Sequence, residues 1–303
     1  MNDDTALAQA HSFARLKAHT DRIGPVYGTE DWSMFLYALV KMQTPLAVVE
    51  LGTGLGATAL WVAQAMKEVG VGRIWTIDSG QDWPAILGHS PDLFTQAQRG
   101  MDFAGYMADI VAGFGLQDHL EFIGRTMPPY PVLGQKLDWL FSDFRHGPND
   151  ILEILGHFMP RMADSSSIFI DSASTSFPSY ALLELLTAQL NAGKVPGMLL
   201  RTTAPDQQEA LWQQVRRSRY TLMHMVERKA RVQNSTAWLK IEPADLRPYP
   251  TAPPSIKEVG GHSRHQAVRQ GGSPPPQPPR RPSSSAAVRA STHKSLASVA
   301  PRM

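Results

Sequence analysis

The chain contains no cysteine. That excludes disulfides, thiolate metal sites and cysteine nucleophiles, and leaves the redox compartment open. It also has no apolar run near the roughly 18 residues a membrane span needs. The opening, MNDDTALAQA, is acidic and lacks the basic-then-apolar order of a secretion signal. A cytoplasmic protein without a membrane partner is the expectation. Aromatic residues, finally, are missing after Tyr249. The formal charge of +2 hides a related asymmetry. Residues 247–303 hold nine Lys or Arg and one acid, whereas residues 1–246 hold 20 against 26. Stretches such as SPPPQPPRRPSSSAAVRAS offer little apolar surface to offset the entropy of ordering. Residues 247–303 are therefore expected to be a basic Pro/Ser-rich tail, disordered from residue 250. Such a tail can attract nucleic acid, but a solvated tail with no dedicated partner is the simpler reading.

What remains is apolar enough to bury a sizeable core: 43% of the 303 residues are hydrophobic. Residues 1–246 alternate short apolar runs with helical periods, the pattern of a mostly parallel sheet covered by helices on both faces. The runs LAVVELG (46–52), RIWTIDSG (73–80), LEFIGRT (120–126), LDWLFSDF (137–144) and SSIFIDSA (166–173) are nearly continuous in apolar character, as strands buried on both faces should be. Thr29 is placed to cap a helix carrying Trp32, Phe35, Leu36, Leu39 and Val40 on one side. A second amphipathic helix begins near Pro148, with Ile151, Leu152, Ile154, Leu155, Phe158 and Met159. Ahead of both, Leu7, Ala10, Phe13 and Ala14 suggest an N-terminal helix with one apolar face. After these units come YTLMHMVERKA and NSTAWLKIEP, two extended runs joined by a few polar residues, which predict an antiparallel hairpin.

The stretch VVELGTGLGATALWVAQA joins the first strand to a helix through Gly52, Gly54 and Gly56, with Glu50 near the strand end. Glycines let a backbone turn tightly and approach a ligand closely, and a nearby carboxylate can receive an ammonium group. Gly52, Gly54 and Ala57 also satisfy a looser dinucleotide fingerprint, and a tight turn without a ligand is a further reading. Asp78 ends the second strand, where a carboxylate can bind both hydroxyls of a ribose. A hairpin closing five strand–helix units departs from the six-parallel-strand dinucleotide arrangement.

On these residues and this order of elements, about 25–242 resembles the class I S-adenosylmethionine-dependent methyltransferases, nearest their small-molecule O-methyltransferase branch. The resemblance implies a doubly wound, Rossmann-like α/β sheet of seven strands with a C-terminal antiparallel hairpin. It divides the chain into N-terminal helices (1–45), a cofactor-binding methyltransferase domain (46–246) and the tail (247–303). S-adenosylmethionine is the implied cofactor, held by Glu50, Gly52, Gly54, Gly56, Asp78 and Asp143. The reaction implied is in-line transfer of a methyl group to a small-molecule oxygen. A NAD-dependent oxidoreductase, or a non-catalytic S-adenosylmethionine-binding or nucleic-acid-associated protein, are the alternatives.

The motif LDWLFSDFRHGPND brings Asp143 and His146 to the carboxyl edge of the sheet, where open α/β sheets bind ligands. The resemblance implies that Asp143, Asp171 and Ser172 hold Mg²⁺ beside the methyl group, Ser172 standing where the family often has Asn or Asp. Two carboxylates and a hydroxyl suit Mg²⁺ with several waters; the other reading is that the carboxylates cap turns or contact the cofactor. His146 is positioned as a base for a substrate hydroxyl, with pocket lining as its plainer role. His157, in an amphipathic helix, has no claim to chemistry. The N-terminal helix either covers an acceptor pocket, as in the related enzymes, or serves packing or a homodimer contact. The segment RMADSSSIF lacks the family's glycine pair before the fifth strand, and its serines are expected to make the turn.

Overall fold

A computed structural model describes residues 3–24, 30–227 and 235–244. The residue proposed as a cap, Thr29, and the tail from 247 lie outside them. The elements run α1 (Asp3–Ile23), α2 (Glu30–Gln43), β1 (Ala47–Leu51), α3 (Ala57–Val69), β2 (Arg73–Asp78), α4 (Trp83–His89), α5 (Gln96–Arg99) and α6 (Phe103–Phe114). They continue with β3 (Leu120–Gly124), β4 (Leu137–Ser142), α7 (Pro148–Phe158), β5 (Met162–Asp171), α8 (Phe177–Asn191), α9 (Gly197–Thr202), α10 (Gln208–Arg217), β6 (Ser218–Val226) and β7 (Ser235–Pro243).

The seven strands form one sheet in the order β3-β2-β1-β4-β5-β7-β6. Strands β1 to β5 are parallel, and β7 runs antiparallel between β5 and β6. The expected fold class is therefore observed, down to the hairpin. Alternation along the strands separates two cores. Val48, Ile74, Phe141 and Phe169 face α1, α2, α3 and α6, meeting Leu16, Leu36, Trp61 and Met107. Val49, Ile77, Leu140 and Ile168 face α7, α8 and α10, meeting Ile154, Leu183 and Leu211. Because both faces are covered, β1 is buried at every residue, which is why its sequence shows no polar alternation. Among the described residues no helix is long and apolar enough to cross a membrane.

Two details differ from the sequence reading. Strand β5 begins at Met162, not at Ser166. The serine-rich segment is an irregularity within the strand: Leu137 pairs with Met162, but Trp139 already pairs with Ser167. Ser166 Oγ donates to the Ala163 carbonyl at 2.8 Å and so stabilises the bulged backbone. On α1 the packed stripe is Phe13, Leu16, Thr20 and Ile23, while Ala10 and Ala14 are exposed and the Leu7 side chain lies outside the described set. A count of apolar residues missed that stripe because it includes a threonine, whose hydroxyl accepts the Trp61 indole N–H at 2.8 Å. Phe13 packs edge-on against Trp61, with ring centroids 5.0 Å apart, so this helix is part of the cofactor-side core.

Candidate functional site

The chain leaves β1 through a turn whose glycines all have positive φ: 86° at Gly52, 53° at Gly54 and 80° at Gly56. Gly52 is held between strands, its N–H donating to the Ile77 carbonyl at 2.9 Å. A Cβ at this position would lie 2.2 Å from the Asp143 carbonyl oxygen, so the turn from β1 and the end of β4 approach to a distance only glycine permits. Gly56 then caps the N-terminus of α3, which opens with buried Ala57, Thr58 and Ala59.

Carboxylates are arranged around this turn. Asp78 Oδ2 accepts from the Thr53 N–H at 3.0 Å and its Oδ1 from the Gly80 N–H at 2.8 Å. One side chain thus joins the end of β2 to the glycine turn and to its own loop. Its acceptor capacity is not exhausted by two bonds. Glu50 is only 1% exposed. It accepts the Thr76 hydroxyl, and Thr76 Oγ1 is 2.7 Å from Thr53 Oγ1, so the buried acid is linked back to the turn through two threonines. Burial raises the Glu50 pKa well above the carboxylate range, Thr76 opposes this, and Asp143 and Asp78 add to it. The last effect places both aspartates within electrostatic reach of Glu50.

Asp143 is exposed one residue beyond β4, and its N–H donates to the Leu51 carbonyl at 2.8 Å. On the adjacent strand Asp171 is 4% exposed, and Ser172 Oγ donates to its Oδ2 at 2.7 Å. Ser172 has φ 58° and its N–H donates to the Ser235 carbonyl at 2.6 Å, which ties the end of β5 to β7. His146 is half-buried in the loop between β4 and α7; its carbonyl accepts Ser179 Oγ from α8 at 2.6 Å. Glu50, Gly52, Asp78 and Asp143 are therefore gathered at one turn, and Asp171 lies on the neighbouring strand. Of the expected cation ligands, Asp143 and Asp171 lie at the ends of neighbouring strands. The Ser172 hydroxyl is turned onto Asp171, Asp171 is buried, and among the described residues no group of three or more His, Asp or Glu side chains is arranged to hold a metal.

Sequence reasoning missed the cavity beside these residues. It measures about 160 Å³ and is lined by Trp32 and Phe35 of α2 and by Met225, Val226 and Thr236 of the hairpin, together with Asp31 and Glu227. Trp32 and Phe35 were legible only as helix packing. Nothing in a one-dimensional pattern indicates that α2 lies across the hairpin end.

Residues 49–173 match the family described as "Methyltransferase domain". This segment, running from within β1 to just past β5, contains every residue placed around the turn above. No curated protein matches the chain. Solved structures similar to it include the O-methyltransferase TomG from Streptomyces achromogenes, involved in tomaymycin synthesis and in complex with SAM (17% identity, TM-score 0.42, covering 76% of this chain and 89% of that one). Others are an O-methyltransferase from Bacillus cereus in complex with SAH (15%, 0.41, 80% and 92%) and cofactor-bound Rv0187 from MTB (16%, 0.43, 79% and 90%).

Proposed function

We propose that the protein is an S-adenosylmethionine-dependent methyltransferase that methylates an oxygen of a small molecule. The observation that carries this is the turn of three positive-φ glycines, Gly52, Gly54 and Gly56, flanked by the Asp78 carboxylate within a segment matched as a methyltransferase domain. The turn residues Gly52 to Gly56 would receive the cofactor along their backbone, and Asp78, with acceptor capacity left, would take its ribose hydroxyls. Glu50 keeps the turn in place through Thr76 and Thr53. S-adenosylmethionine supplies a methyl group already activated by its sulfonium.

The task left to the chain is alignment, exclusion of water and removal of a proton from the acceptor hydroxyl. His146 is the proposed base, with Asp143 at the same edge stabilising the imidazolium that forms. No step of this proposal depends on a divalent cation.

Calorimetry with S-adenosylhomocysteine and with NAD tests the reading directly. The first should bind with micromolar affinity and the second should not. Asp78→Ala, checked for an intact fold, should weaken S-adenosylhomocysteine by roughly tenfold to 150-fold, the range for hydrogen bonds to a charged group. Equal affinity in wild type and variant, or preferential NAD binding, would reject the assignment.

A further inference from the structure

We infer that Ser174, His224 and Glu184 form a second reaction centre, one that hydrolyses carboxylic esters with a small apolar acyl group. None of the three belongs to the cofactor turn or to the proposed pair of Asp143 and His146, so the inference does not depend on methyl transfer.

Geometry is the first argument. Ser174 Oγ lies 2.9 Å from His224 Nδ1, and His224 Nε2 lies 3.2 Å from Glu184 Oε1. A carboxylate only accepts hydrogen bonds. In the neutral imidazole Nε2 therefore carries the ring proton, and Nδ1 is left to accept from the Ser174 hydroxyl. A hydroxyl donating to a base that a carboxylate orients is the arrangement of an activated nucleophile, identified by roles and distances and not by order in the chain. The three side chains converge from the loop after β5, from β6 and from α8.

The second argument is that the nucleophile is held and reachable. On either side of Ser174 the loop is fastened to Ser235 of β7: the Ser172 N–H donates to the Ser235 carbonyl at 2.6 Å, and the Thr175 N–H to its Oγ at 3.1 Å. The Tyr180 ring lies against His224 with centroids 4.2 Å apart, which restricts rotation of the imidazole. Such positioning lowers the cost of bringing nucleophile, base and ester together. Ser174 is half-buried, and nearby Phe177 is 78% exposed, so Phe177 and Tyr180 offer an apolar surface to a small acyl group. Helix α8 begins at Phe177, and the Ser176 side chain does not cap it. The N–H groups of a first helical turn have no intrahelical acceptor, and those of α8, opening three residues after Ser174, are the donors for an oxyanion.

Ser174 Oγ attacks the ester carbonyl carbon as its proton passes to Nδ1, and Glu184 stabilises the imidazolium. The bond to the alcohol oxygen then breaks, and the alcohol leaves with that proton. Water attacks the acyl-serine, giving Nδ1 a proton that returns to Ser174 Oγ as the acid is released.

Full-length protein would be treated with a fluorophosphonate probe and mapped by peptide mass spectrometry, with p-nitrophenyl acetate hydrolysis followed alongside. Ser174 should be phosphonylated, and both rates should fall about a hundredfold in His224→Ala. Ser174→Ala should lose the label and a similar share of hydrolysis at an unchanged melting temperature, and it keeps the test decisive if the histidine variant disturbs β6. Glu184 is a positioning residue. Glu184→Asp, which keeps the carboxylate, should retain more of the rate than Glu184→Gln, which keeps the size but can hold the wrong imidazole tautomer; a packing role predicts the reverse order. An unlabelled Ser174 in the wild type, labelling indifferent to His224→Ala, or hydrolysis unchanged in Ser174→Ala would overturn the inference.

Discussion

His19, on the inner face of α1, should make the protein acid-sensitive in a calculable way. Its ring is 8% exposed. Nδ1 lies 3.2 Å from Arg22 Nη2, an arrangement that suits a neutral imidazole accepting the guanidinium N–H. Nε2 is buried and has no hydrogen-bond partner. Burial, and then the Arg22 charge, lower the pKa from 6.5 to about 4. The folded state therefore binds this proton less readily than the unfolded chain. Above the unfolded pKa of 6.5 the residue costs nothing, and stability is lost as the pH falls from there toward about 4. With those two values the loss is about 2 kcal/mol by pH 5 and about 3 kcal/mol by pH 4. Glu50 acts in the opposite direction, since its raised folded pKa favours the folded state on acidification. The His19 contribution must therefore be isolated by difference. Urea unfolding of wild type and His19→Gln at pH 7, 5 and 4 supplies that difference. The variant should gain about 2 kcal/mol relative to wild type between pH 7 and 5. A stability gap that stays constant over this range would show that His19 is not buried as described.

Two further outcomes test the turn and the base. Gly52→Ala should destabilise by about 2–4 kcal/mol in denaturant unfolding, whereas Gly70→Ala, with φ 79° but nothing within 4 Å of a new Cβ, should cost only about 1–2 kcal/mol of conformational strain; equal costs would mean that the approach to the Asp143 carbonyl is not close. His146→Ala should lower turnover about a hundredfold while S-adenosylhomocysteine binding survives, and EDTA should leave wild-type turnover unchanged; full activity in the variant, or inhibition by EDTA, would remove His146 from the proposed mechanism.

The sheet was legible because each of its strands is short, apolar and bounded by turn residues, so that position along the chain nearly determines position in the fold. Boundaries were lost where local chemistry departs from the repeat. Ser165 to Ser167 resemble a turn in composition, yet pairing of β5 with both β4 and β7 forces them into the strand, with the Ser166 hydroxyl bonded to the Ala163 carbonyl. In α1 the opposite occurred, since Thr20 and His19 are polar by type and buried by position.

The site was legible to the extent that it is local. Gly52, Gly54, Gly56 and Asp78 lie within strand–turn units whose geometry follows from their own sequence, and the structure ties Asp78 to Thr53 as such a unit requires. The cavity beside it is assembled from α2 and a hairpin some 190 residues after α2 begins. Met225 and Val226 are ordinary strand residues by type, and Trp32 is an ordinary core residue by periodicity. Their shared cavity exists only because β7 inserts antiparallel between β5 and β6 and brings Thr236 level with Asp171. A parallel sixth strand would have delivered its carboxyl end, and a following helix, to that edge. The antiparallel insertion leaves the end of β6 and the start of β7 there instead, with α2 across them as the cavity's outer wall.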